Sequence, residues 1–189
     1  MENSLQVFFA VIIFYTMISS TILLCQSSTP FVPHDFEIPE VLETDKFKLR
    51  MLTVNDVVKD YDAVMTSIDH LQGVFGPNSK WPSEDLTFEQ DLIDLGWHQK
   101  EFQRRSSFAY TVMNSNESQC VGCVYIVPTT KVGYDAAVYL WVRKSEYERG
   151  LDPLLFKSVK EWIKDKWQFE KVAFPGREID WSEWETLSE

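Results

Sequence analysis

His98 and Glu101 lie three residues apart in FEQDLIDLGWHQKEFQR, with Asp94 before them and Arg105 just after. On a helix these four positions share one face, because residues spaced at i, i+4, i+7 and i+11 stack above one another. An imidazole beside a carboxylate could act as a proton relay or receive an amine. The same spacing also fits a solvated polar face laced with ion pairs, since alternating charges on a helix need no ligand. A single His-x-x-Glu without a partner motif does not make a zinc site, so no metal is expected. Asp135 is a rival base. It alternates with Tyr139 and Arg143 along one face of DAAVYLWVR, where every second residue of a strand points the same way. It could equally serve only to end that strand.

These side chains need elements to hold them. The His98 helix is predicted over 87–105, with Thr87 and Gln90 at capping-box spacing and Phe88, Leu92, Leu95 and Phe102 as its buried stripe. Before it, Phe47, Leu49 and Met51 alternate with Lys48, Arg50 and Leu52, which predicts a strand. Thr53 then caps a helix carrying Val57, Tyr61, Val64, Ile68 and Leu71. Residues 108–113 and 120–127 read as a hairpin around the polar NSNESQ turn, which contains the glycosylation sequon Asn116-Glu117-Ser118. Cys120 and Cys123 have C-x-x-C spacing, but residues three apart on a strand face opposite sides. They are expected to be small buried core residues.

Residues 136–142 form a further strand, and 171–174 a last one stopped by Pro175-Gly176. Between them, Asp152 and Pro153 read as N-cap and first-turn proline of a helix that buries Leu155, Val159, Trp162 and Ile163. The order is β-α-α-β-β-β-α-β, an α/β (α+β) fold with a mixed central sheet.

This order, opened by Leu49-Arg50-Met51-Leu52-Thr53 and carrying the strand-loop-helix of residues 135–163, resembles the GNAT superfamily of acyl-CoA-dependent N-acetyltransferases. The resemblance covers about residues 47–175. It implies acetyl-CoA as co-substrate, an amine acceptor and a base for the amine proton, and for that base this chain's candidates by spacing are His98, Glu101 and Asp135. It also implies cofactor binding by the strand Leu140, Trp141 and Val142, by Arg143, and by the loop residues Arg149 and Gly150. The family's pyrophosphate loop has the pattern Q/R-x-x-G-x-G/A. Laid on this chain from Arg149, the first glycine falls on Asp152 and the second small residue on Leu154, with Pro153 between them. A carboxylate there competes for the phosphates' place, and a proline removes one N–H donor. The expected function is therefore N-acetyl transfer; the alternative is a catalytically inactive GNAT-fold binding or scaffold module tethered to a membrane.

The net charge of −11 over 189 residues argues against a nucleic-acid partner. Residues 5–25 carry no charge, and about 20 apolar residues suffice for one helical membrane crossing. Residues 1–25 are therefore expected to be a single-pass N-terminal anchor, with the domain on the cytosolic side. Cys25-Gln26-Ser27 leaves open a cleaved signal and a secreted product. Residues 26–46, rich in Ser and Pro, read as a linker, residues 47–177 as the acetyltransferase-like domain, and residues 178–189 as an acidic tail.

Overall fold

A computed structural model describes residues 30–189. The hydrophobic segment predicted in residues 1–25 lies outside them, and among the described residues no helix is long and apolar enough to cross a membrane.

The core is a six-stranded sheet with strands in sequence order: β1 (Val41–Glu43), β2 (Phe47–Met51), β3 (Phe108–Asn114), β4 (Cys120–Val127), β5 (Ala136–Val142) and β6 (Val172–Ala173). Every neighbouring pair is antiparallel except β5 and β6, which run parallel. A parallel pair needs a crossover. Here it is α5 (Leu151–Lys166), preceded by the short α4 (Lys144–Tyr147). Between β2 and β3 lie α1 (Val57–Met65), α2 (Ile68–Leu71) and α3 (Phe88–Arg104), and α6 (Trp181–Thr186) follows β6.

Both faces of the sheet are covered, so β3 and β4 are apolar on both sides rather than alternating. On one face Phe47, Leu49 and Tyr110 pack with Leu155, Val159 and Trp162 of α5. On the other, Leu52, Ala63 and Val64 pack with Leu95, Cys123 and Trp141.

β4 shifts register against β3 between Val112 and Met113: Gly122 pairs with Val112 and Cys120 with Met113, so Val121 has no partner. A bulge of this kind inserts one residue and resets the alternation. Cys120 and Cys123 therefore share the helix-α1 face, while Val121 and Val124 face α5. The expectation that the two thiols point opposite ways fails for this reason.

The segment read as a linker is packed from residue 30 onward. Val32 is buried, Phe31 stacks on Phe108 and Phe169, and Val41–Glu43 is an edge strand. Arg105 ties it down, donating to the carbonyls of Pro33 (2.7 Å) and Phe36 (2.6 Å). The acidic tail likewise holds a helix, with Trp184 buried and Trp181 stacked parallel to Tyr139. In both stretches, aromatic residues among the prolines or acids dock on the sheet.

Candidate functional site

β5 and β6 pair only at Ala136–Val172 and Ala137–Ala173. Beyond that point they splay, leaving the β6-facing edge of Leu140 and Val142 without a strand partner. A residue's N–H and C=O leave a strand on the same edge, so both polar groups of Leu140 and Val142 face the wedge. The wedge is a cleft of about 320 Å³, walled by β5, the loop after α2, Tyr147, and the Pro175-Gly176-Arg177 turn.

The chain's own side chains line this cleft and meet its backbone groups. The Arg177 guanidinium donates twice to the Asp152 carboxylate, at 2.9 and 2.7 Å, and also to the Leu140 carbonyl at 3.3 Å. A two-pronged Arg–carboxylate pair fixes orientation as well as charge. His70 places Nε2 3.1 Å from the Val142 carbonyl and packs on Tyr147. The first turn of α5 differs from its predicted form. Gly150, in the left-handed region at φ 82°, is the N-cap, and no side chain caps the helix. Asp152 lies inside the first turn, where its carboxylate binds Arg177 rather than helix N–H groups.

A second cavity, about 370 Å³, opens on the α1–α3 side of the sheet. Its walls include Phe75, Trp81, Tyr125 and Tyr139, and its acids are Asp60, Asp91 and Asp94. Phe75 is the centre of the aromatic wall, 4.9 Å from Trp81, 5.5 Å from Tyr125 and 5.8 Å from Tyr139 between ring centroids. Burial pushes Asp91 up to about 7, with the charges of Asp60 and Asp94 adding to it. Burial also raises Asp60, to about 6, against the opposing hydrogen bonds from Cys123 and Cys120. His98 shifts the other way, lowered by burial, which favours neutral imidazole. Its ring packs 5.1 Å from Tyr125. Tyr139 lines both cavities, and burial raises its phenol so that it keeps its proton.

The predicted site residues separate into those that reach these cavities and those spent elsewhere. His98 lines the second cavity; Glu101 does not, and instead accepts from Ser106 and pairs with Lys100. No hydrogen bond joins His98 to Glu101, because α3 turns Asp91, Leu95 and His98 inward together. Phe88 and Leu92, placed in the buried stripe, are exposed. Asp135 lies at the far end of β5, where it accepts from the N–H groups of Glu170 and Lys171, both at 2.8 Å, and anchors the turn into β6. That gives it the strand-ending role rather than a base's.

Leu140 and Val142 line the splay with their backbone, but the Trp141 ring packs on the opposite side, with Nε1 3.4 Å from the Tyr125 hydroxyl. Arg143 is buried and donates to Asp62 (3.0 Å), Thr66 (2.8 Å) and the Cys120 carbonyl (3.4 Å). It ties β5 to α1 and is not free for a phosphate. Arg149 is exposed and paired only with Glu146 at 2.6 Å. A Cβ on Gly150 would meet nothing within 4 Å. Asp60, Asp91, Phe75, His70 and Arg177 were not singled out by sequence reasoning. A signal existed for two of them: Asp60 lies at helical spacing between Val57 and Val64, and Asp91 lies one turn before Leu95.

No family model and no curated protein matches the sequence. Solved structures do match its fold. A ribosomal-protein-S5-alanine acetyltransferase from Vibrio fischeri is 19% identical with a TM-score of 0.53, covering 66% of this chain and 67% of that one. A Bordetella pertussis protein assigned to the GnaT-family acetyltransferases is 13% identical with a TM-score of 0.54, covering 72% and 78%. A ribosomal L7/L12 alpha-N-protein acetyltransferase, solved in complex with coenzyme A, is 14% identical with a TM-score of 0.53, covering 66% and 67%. The chain has the fold of the GNAT acetyltransferases.

Proposed function

We propose that the protein transfers an acetyl group from acetyl-CoA to an amine, with the donor in the β5–β6 splay and the amine in the acidic cavity. The observation that carries this reading is the wall the two cavities share at Tyr139. Group transfer needs donor and acceptor to converge from two openings on one point. The backbone frame fits the donor, because Arg177, Asp152 and His70 line the splay and leave a cleft of about 320 Å³ open along β5. Leu140 and Val142 would hold the cofactor's extended arm through their backbone groups. Arg149 and the uncapped first turn of α5 would hold its phosphates. Acetyl-CoA supplies an acyl group already activated as a thioester.

The chain's own groups divide the remaining work. Asp91 and Asp60 draw in a cationic amine. Neutral His98 is a base within the same cavity. The Leu140 N–H, aimed into the splay, is positioned to donate to a developing oxyanion. The Tyr139 phenol adds an O–H donor between the two cavities. We also propose that residues 5–25 anchor the domain to a membrane with the domain on the cytosolic side, where acyl-CoA is available.

The Asp152–Arg177 pair favours a second reading, a binding module of the same fold without turnover. Its carboxylate faces the place of the phosphates, and two like charges 4 Å apart repel by about 1 kcal/mol in water and more in a drier site. Titration calorimetry of the full chain with acetyl-CoA separates the two. Asp152→Gly frees Arg177 for a phosphate and is expected to tighten binding about tenfold, whereas Arg177→Ala leaves the carboxylate unopposed and weakens it. Absence of binding in all three proteins would remove the acetyltransferase reading and leave the second.

A further inference from the structure

The acidic cavity combines two features that rarely occur together without a ligand. Asp91 is 5% exposed, lines the cavity, and leaves Oδ2 without a hydrogen-bond partner among the described residues. An unpaired buried carboxylate oxygen costs free energy unless a charge or donor meets it. Around it stand Phe75, Trp81, Tyr125 and Tyr139, and among the described residues no Lys or Arg lines the cavity. Aromatic faces attract cations, with organic ammonium ions the best-attested case.

We propose that the cavity of Asp60, Asp91, Phe75, Trp81, Tyr125 and Tyr139 is a binding site for a compact organic ammonium ion, held by Asp91 and the aromatic wall. This names the chemistry of the acceptor cavity and rests on the acetyltransferase reading for its place in a reaction, but as a binding site it stands without donor or turnover. Its volume, about 370 Å³, lies near the low end for small-molecule sites and selects a compact ligand over an extended peptide. The charge balance selects the sign. The titratable groups facing Asp91 are Asp60 from α1, Asp94 and His98 from α3, Tyr125 from β4 and Tyr139 from β5. Two of these are acids, as Asp91 itself is; burial favours neutral His98 and keeps both phenols protonated. A cation is the one kind of charge this set accepts. It also favours ionised Asp91, so binding strengthens as pH rises through about 7.

Titrating the full chain with tetramethylammonium chloride, followed by tryptophan fluorescence, tests the site, with tert-butanol as the uncharged control of similar shape. The expected result is saturable binding of the cation alone, several-fold tighter at pH 8 than at pH 6. It should weaken at least tenfold in Asp91→Asn and in Phe75→Leu. Asp91→Asn keeps the side chain's shape and removes its charge, so it stays folded and remains informative. Equal binding of tert-butanol, or a cation affinity unchanged in Asp91→Asn, would overturn the proposal. Neither result bears on the donor cleft, which acetyl-CoA titration reads separately.

Discussion

Asp91 makes the fold's stability depend on pH. Burial holds its proton up to about 7, against 3.8 for a free carboxyl. Between those two values the native state binds a proton that the unfolded chain has released, so stability falls as pH rises. Above about 7 the native protein carries the full cost of a buried carboxylate. Asparagine mimics the protonated acid at any pH. Asp91→Asn should therefore leave stability nearly unchanged at pH 4 and raise it at pH 8 by roughly 2–4 kcal/mol, taking about 1.4 kcal/mol per pK unit as the upper scale. Urea denaturation at the two pH values measures this, and a gain of equal size at both would contradict it. The same substitution weakens the cation site, a trade of function against stability common at binding residues. The sequence made His98 legible because imidazole beside acid is a familiar pairing. It hid Asp91 because a lone aspartate on a charged helix has many solvated counterparts.

β4 and β5 hold the site in place, and their contact depends on Gly122. A Cβ at that position would lie 2.1 Å from the Trp141 carbonyl oxygen and 3.2 Å from the Val142 Cα. These are backbone atoms of the neighbouring strand, so no side-chain rotation relieves the clash. Gly122→Ala should separate β4 from β5 and cost on the order of 2–4 kcal/mol, the scale of overpacking a well-filled core. A denaturation midpoint equal to that of the unchanged protein would refute the close approach. Most elements were legible from periodicity and caps, as at Thr87, whose capping box with Gln90 forms as expected. The β4 bulge was not, since an extra residue in a strand leaves the apolar run CVGCVYIV unaltered. Nor was α6, because its charges mask Trp181, Trp184 and Leu187, which recur every three residues. The Asp152–Arg177 pair escaped notice because its partners lie 25 residues apart and meet only through the α5 crossover.

At the scale of the whole molecule, the proposed membrane anchor turns on one choice of compartment for the domain, the cytosol or the secretory lumen. In the proposed cytosolic setting the two buried thiols stay reduced and keep their contacts. The Cys123 thiol lies 3.3 Å from Asp60 Oδ1 as a donor to it, and Cys120 lies 3.8 Å from the same oxygen. Oxidation would remove both donors from a carboxyl that is itself buried, leaving it unsatisfied. Reducing conditions prevail in the cytosol and oxidising ones in the secretory lumen. The chain carries its own reporter of the difference. Asn116 of the Asn116-Glu117-Ser118 sequon is exposed in the β3–β4 turn, where a lumenal domain would be open to glycosylation. Expressed with its full amino-terminal segment in a cell that glycosylates secreted proteins, the chain should show no glycosidase-sensitive mass, and a reporter fused after Glu189 should be active only in a cytosolic format. A glycan on Asn116 would place the domain in the lumen, away from the acyl-CoA pool, and would favour the binding module.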